Sequence, residues 1–181
     1  MEPEMTKLDV VINNLAANDR RRPPRQPAQI LDWLWLGDQN NSFNAQDAGF
    51  THVISCMNQP EMDMIRGFWR MREYNPKHLY ICVEDQPTTN ITAYFPVVWE
   101  WLCNLALKPT DKVLIHCQAG VNRSASLALM IYCWQTRTNP GAAGKLIWYK
   151  RPGILTNREF RLQIDEWWAT KIPNNHNKTQ K

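Results

Sequence analysis

The 181-residue sequence predicts an α/β fold: one domain with a central mixed sheet of about five strands flanked by helices. Three observations predict it. Short β-branched runs alternate with segments of helical apolar spacing. The last third of the chain is rich in helix. Between them, Val113-Leu114-Ile115-His116-Cys117-Gln118-Ala119-Gly120-Val121-Asn122-Arg123-Ser124 reads as a strand, a tight Gly-bearing loop and a helix start. The length suits a single domain with a proper core. No uninterrupted apolar run approaches a membrane span.

Taken in order, residues 5–17 have helix-compatible spacing, with Leu8, Val11, Ile12 and Leu15 on one side. That side could pack on the domain or on a second copy of the chain, giving a homodimer through the N-terminal segment. Arg20-Arg21-Arg22-Pro23-Pro24-Arg25-Gln26-Pro27 is charged and Pro-rich, hence an extended linker. Three regions follow: residues 1–27 as helix-like segment and linker, 28–168 as the folded domain, and 169–181 as a basic tail. Ile30-Leu31 and Leu34-Trp35-Leu36 read as short strands, ended by Gly37-Asp38. Ser42 to Ala48 reads as a short helix closed by Gly49. Thr51 to Cys56 is a buried strand, and Leu79 to Val83 another. The polar, Met-rich stretch 57–77 carries no clear assignment. Asn90 is a candidate N-cap for a helix reaching about Leu107, with an irregular first turn imposed by Pro96. Lys112 to Ile115 enters the loop, and Ser124 to Thr138 is apolar enough to be a buried helix. Residues 140–150 and 156–168 make two more helices. The nine tryptophans read as core and helix-face packing.

The net charge of +4 is carried by residues 1–26 and 169–181, which leaves 27–168 balanced. A basic pI is then weak grounds for nucleic-acid binding by the fold itself. Five cysteines without paired close spacing predict reduced thiols in a cytoplasmic or nuclear compartment. The opening residues lack the apolar core of a signal peptide. The four histidines are scattered, and no Cys/His cluster has metal-ligand spacing, so neither metal nor cofactor is expected.

The chemistry concentrates at Cys117. A helix start offers unpaired N–H groups and the positive end of aligned peptide dipoles. Such a position favours a thiolate and also binds phosphate. Of the five cysteines only Cys117 has an arginine six residues on. His before it, Gly three after it and Ser after the arginine add constraint. The plainer alternative is a buried structural cysteine. The functional one is phosphoryl transfer to sulfur.

Over residues 28–168 the chain resembles the small, atypical dual-specificity protein phosphatases of the cysteine-dependent superfamily, and its Val-Asn-Arg-Ser loop ending is similar to poxviral members. The resemblance rests on Ile30…Leu34-Trp35-Leu36-Gly37, Gly49-Phe50-Thr51-His52-Val53-Ile54, Asp85 with Asn90-Ile91-Thr92-Ala93-Tyr94-Phe95, His116 to Ser124, Arg151-Pro152, and Asn157…Phe160. Trp35, Thr156 and Pro96 depart from the usual pattern and touch local geometry. The resemblance implies hydrolysis of phosphotyrosine and phosphoserine/phosphothreonine in a phosphoprotein through a phosphocysteine intermediate.

The residues then take roles. Cys117 attacks phosphorus. The N–H groups of Gln118, Ala119, Gly120, Val121 and Asn122, with the planar guanidinium of Arg123, hold the phosphoryl oxygens. Asp85 protonates the leaving oxygen and later takes a proton from water; Glu84 is the rival acid, and an Asx-type turn is the plainer use of Asp85. Ser124 donates to the sulfur or caps the helix. His116 orients the loop or is a buried structural histidine. Asn157 buttresses the loop or caps the following helix. Cys82, three residues before Asp85, is a candidate disulfide partner for Cys117 under oxidant.

Without Lys or Arg at 118–122 an inositide head group is disfavoured, and a shallow pocket admitting all three phosphoamino acids is expected. Arg158 and the linker arginines could read acidic flanks. The alternatives are an RNA 5′-phosphatase, against which Gln118-Ala119 and Ser124-Ala125 argue, and a catalytically weak phosphate-binding module. The expected partner is a phosphoprotein, with no nucleic acid or membrane.

Overall fold

The computed structural model describes residues 7–171. Met5 and Thr6 of the predicted first helix and most of the basic tail lie outside the described residues. A five-stranded sheet has the order β1 (Ala28–Leu31), β2 (Leu34–Gly37), β5 (Val113–His116), β3 (His52–Met57), β4 (Lys77–Cys82). Only β1 and β2 are antiparallel; β2, β5, β3 and β4 run parallel, so the sheet is mixed as expected. The central β5 is buried along its whole length, between β2 and β3. A parallel strand covered on both faces needs a continuous apolar run, and Val113-Leu114-Ile115 supplies it.

Two apolar clusters flank the sheet. The larger joins Ile54, Ile115 and Leu36 to the helices α4 (Phe95–Asn104), α5 (Arg123–Thr136), α6 (Pro140–Lys150) and α7 (Arg158–Ala169). The smaller joins Val53, Met57 and Leu114 to α2 (Gln39–Phe43) and α3 (Gln59–Met71). α5 is buried on most sides, because its N-terminus must sit beneath the sheet's central strand.

Three expectations shift. The short helix expected at 42–48 lies instead at Gln39–Phe43, because Asp38 forms a reciprocal capping box with Asn41, and residues 44–49 are turns. The unassigned stretch 57–77 contains α3, which begins at a second capping box: Glu61 N–H donates to Asn58 Oδ1 at 3.0 Å and Asn58 N–H to Glu61 Oε2 at 3.1 Å. Asn90 does not cap through its side chain; the chain turns through a 3-10 segment, Ile91–Tyr94, before α4 takes over with Pro96 in its first turn.

The N-terminal helix α1 (Leu8–Asn18) lies on its own domain, against α6 and α7. Leu8 and Ile12, which could have met a second copy, are buried there. Gly144 of α6 permits the approach, since a Cβ at that position would collide with Leu8 Cδ1. The arginine-proline stretch that follows is also docked: Arg151 Nη1 donates to the carbonyls of Pro24 (3.1 Å) and Gln26 (3.3 Å), and Trp148 Nε1 donates to Asp19. Residues 19–27 are therefore not a free linker.

Candidate active site

β5 ends at His116, and the chain turns through 117–122 into α5. The loop is fixed through its carbonyls. Gln118 O accepts from Gln39 N–H at 3.1 Å, Ala119 O and Gly120 O accept from the Arg151 guanidinium at 3.4 and 3.0 Å, and Val121 O accepts from Leu155 N–H at 2.7 Å. With the carbonyls tied outward, the N–H groups of 118–121 donate to no other group among the described residues. A ring of free amides at a helix start is an oxyanion site. Gly120 is at φ +62°, and a Cβ there would meet Gly37 O and Arg151 Nη2, so this position requires glycine.

Cys117 is 2% exposed. Burial alone would suit an inert structural thiol equally well. Two observations separate the cases. Ser124 Oγ donates to Cys117 Sγ at 3.2 Å. Arg123, one residue earlier, is also buried, and its Nε–H has no partner among the described residues. One nitrogen of that guanidinium is fixed: Nη1 donates to Glu61 Oε2 and to Val83 O, both at 3.2 Å. Burial works against the Arg123 charge, but Cys117, Glu61 and Asp85 outweigh it and raise its pKa above the ordinary value. A buried, permanently charged donor held at one end and unpaired at the other is poised for an anion.

Asp85 follows β4 in the loop that also presents Val83 O. Its two carboxylate oxygens are held separately: Oδ2 accepts from Asn122 Nδ2 at 2.9 Å and Oδ1 from Asn157 Nδ2 at 3.0 Å. The acid candidate is thereby tied to the phosphate loop on one side and to the start of α7 on the other. Glu84 is exposed and makes no such contact. Asn157 does two things at once, since its Oδ1 also accepts from Phe160 N–H at 3.4 Å as the α7 cap. Its support goes to the acid, while its own N–H donates to Asn122 Oδ1 at 3.0 Å.

His116 lies behind the loop, in a hydrogen-bonded chain: its Nε2 meets Ser55 Oγ at 2.7 Å, and Ser55 Oγ meets His78 Nε2 at 3.0 Å. Burial depresses both histidines, His116 to about 3 and His78 to about 4, so both are neutral near pH 7. A neutral His116 adds no charge beside the thiol, and its Nδ1 has no hydrogen-bond partner among the described residues. Cys82 is displaced from the site: β3 lies between β4 and β5, which places Cys82 about two strand spacings, ~10 Å, from Cys117 and beyond disulfide reach.

Three supporting residues, Glu61, Arg161 and Leu155, carry no motif that marks them in the sequence as parts of the site. Glu61 is legible in principle, because Asn58-Gln59-Pro60-Glu61 is a capping box with Pro in the first turn.

The dual specificity phosphatase catalytic-domain model matches residues 34–170, most of the chain. The chain belongs to the dual specificity phosphatase family. Dual specificity protein phosphatase 19 of Mus musculus is 28% identical over 156 residues, spanning 84% of this chain and 67% of the relative. The crystal structure of the human tyrosine phosphatase-like serine/threonine/tyrosine-interacting protein superposes with a TM-score of 0.66 at 26% identity, over 82% of this chain and 99% of that one. OH1 of the Orf virus, a tyrosine phosphatase, shares the fold at 18% identity, TM-score 0.66, over 89% of this chain and 96% of that one. The chain spans about half to two thirds of the length of the curated relatives it matches. As a dual specificity phosphatase domain, it is an α/β protein. The match does not favour the RNA 5′-phosphatase alternative.

Proposed function

We propose that this dual specificity phosphatase domain dephosphorylates phosphotyrosine and phosphoserine/phosphothreonine in a phosphoprotein, with Cys117 as nucleophile. One observation carries it: a thiol hydrogen-bonded by Ser124 lies beside a buried arginine with a free Nε–H and a loop of unpartnered amides. The Cys117 thiolate attacks phosphorus, and an S–P bond forms as the P–O bond to the ester breaks. The amides of 118–122 and Arg123 take up charge on the three phosphoryl oxygens. The departing oxygen receives the proton of the Asp85 carboxyl. In the second half Asp85 takes a proton from water, the water oxygen bonds phosphorus, and the S–P bond breaks. Ser124 O–H then donates to the departing sulfur.

Asp85, Pro87, Asn122, Thr156, Asn157 and Arg158 line a shallow depression beside the acid. It is suited to the substrate residue flanking the phosphate, with Arg158 and Glu159 both at its edge. A cytoplasmic or nuclear compartment suits a reaction that needs a reduced thiol. A homodimer through the N-terminal segment loses its motive once Leu8 and Ile12 face their own domain.

The test is phosphate release from phosphotyrosyl and phosphothreonyl peptides. Turnover of both by the wild-type chain, lost in Cys117→Ser, supports the proposal. Tight phosphopeptide binding without turnover in the wild type would instead identify a phosphate-binding module.

A further inference from the structure

We propose that the N-terminal segment, residues 8–26, is a working part of the catalytic unit, holding the phosphate loop and the acid in register through two buried arginines, Arg151 and Arg161. The role assigned rests on the phosphatase reading above. The family match starts at residue 34, so it assigns this segment nothing.

Each arginine reaches in both directions. Arg161 Nε donates to Asp9 Oδ1 at 2.9 Å and its Nη2 to Asn13 Oδ1 at 3.0 Å, both on α1. Its Nη1 donates to Leu155 O at 2.7 Å. Leu155 is held at φ +59°, a conformation costly for a branched side chain, and its N–H is the donor to Val121 O of the phosphate loop. The next two residues carry the remaining contacts. Thr156 Oγ1 meets the Asn122 side chain, and Asn157 holds Asp85. The strained segment 155–157 is thus pinned from below by α1 and touches both the loop and the acid from above.

Arg151 repeats the logic on the other side. It is fully buried, reaches Pro24 O and Gln26 O with one nitrogen, and gives the others to Gly120 O and Ala119 O. The backbone at Arg21 and the Pro23 ring lie close enough that a Cβ at Gly153 would press on both at 3.1 Å. α1 itself is anchored at its start by Asp165, whose Oδ1 accepts from Leu8 N–H at 2.9 Å. Asp9 is the outer end of this train of contacts and can be changed without touching the loop. It is a positioning residue: without its carboxylate, Arg161 is buried with no counter-charge, and Leu155 loses its fixed support. Asp9 Oδ2 also meets the exposed Arg158 at 3.5 Å, whereas Asn13 reaches Arg161 alone of the two.

The experiment uses the full chain and compares Asp9→Asn and Asp9→Glu with Asp47→Asn, which breaks only the exposed pair to Arg72. All are read at a temperature where circular dichroism shows them folded. Asp9→Asn is expected to lower kcat on phenyl phosphate about 10-fold and to weaken tungstate binding by a similar factor, since sub-ångström displacement of reacting groups has effects of that order. Asp9→Glu should recover part of both, and Asp47→Asn should match wild type. Asn13→Ala, which removes one Arg161 contact and the Asn13 Nδ2 hydrogen bond to Asp9 Oδ2 but keeps the Asp9 carboxylate for both arginines, should move both readouts in the same direction by less. It decides the question alone if Asp9→Asn does not fold. Folded variants with wild-type kcat and tungstate affinity, altered only in Tm, overturn the proposal. Tungstate affinity separates this proposal from the reading it rests on. A wild-type chain without turnover sinks the phosphatase assignment, whereas an unchanged tungstate affinity in the folded Asp9 and Asn13 variants sinks the buttress.

Discussion

At the scale of single residues, the site pairs one soft nucleophile with fixed donors. Cys117→Ser replaces sulfur with an oxygen of much higher pKa. Hydrolysis of aryl phosphate is expected to fall below detection while phosphopeptide binding persists; residual turnover would remove Cys117 from its role. Asp85→Asn keeps the shape of the carboxylate but has no proton to give at the right moment. Phenyl phosphate should slow by about 10²-fold or more, and an ester with an activated leaving group far less. Equal slowing of the two would show that Asp85 is not the acid. Asn122→Ala tests the tether: it removes the amide that holds Asp85 Oδ2 at 2.9 Å and should reproduce a weaker form of the same leaving-group dependence. Cys117, Arg123 and Ser124 can be read from the chain because loop chemistry is local and their spacing is contiguous. The choice of Asp85 over its neighbour Glu84 rests there on resemblance and on its place after a strand, while the contacts that support it come from Asn122 and Asn157, 37 and 72 residues away.

At the scale of elements, helix starts do most of the positioning. α5 begins under the phosphate loop, α7 begins at the residue that holds the acid, and the first turn of α3 carries Glu61, whose carboxylate both closes the capping box and fixes Arg123. Asn58→Ala should therefore have two consequences. The lost cap costs about 1 kcal/mol, a fall in Tm of about 2–4 °C for a domain of this size. Because Glu61 loses its anchor, kcat should fall as well, measured on the folded protein. A lower Tm with unchanged kcat would confine Asn58 to helix stability. The chain is legible wherever apolar period and flanking turns are strong, as in β3, β5, α5, α6 and α7. The stretch 57–77 carries no assignment because it is mostly polar, although Met62, Ile65 and Trp69 recur at helical spacing behind the Asn58–Glu61 capping box.

At the scale of the whole molecule, the sheet brings His116 on β5, Ser55 on β3 and the half-buried His78 on β4 into one hydrogen-bonded chain across three adjacent strands. Both histidines titrate below the ordinary 6.5, so the unfolded chain binds more protons than the native one between that pH and their depressed values. Stability rises with pH across this window and is lost as pH falls from about 6.5 toward 4. Each histidine kept neutral there forfeits about 1.4 kcal/mol for every pH unit crossed, so His78 alone should account for about 2 kcal/mol by pH 5. Burial raises Asp165, which partly offsets the loss at the acid end. Urea unfolding at pH 7.5 and 5 should show the difference, and His78→Phe should flatten it; a slope unchanged in that variant would assign the effect elsewhere. Taken alone, the amino-acid order determined the α/β class, the strand–loop–helix at 113–124 and the candidate nucleophile with its arginine, because each is set by local period, turn chemistry and contiguous spacing. Only the tertiary structure decided that Glu61 steadies Arg123, that Asp85 is clamped by two distant asparagines, and that the arginine-proline stretch packs behind the loop. Those contacts join residues far apart in the chain, and burying a guanidinium forces it to find carbonyls and carboxylates wherever the fold has placed them.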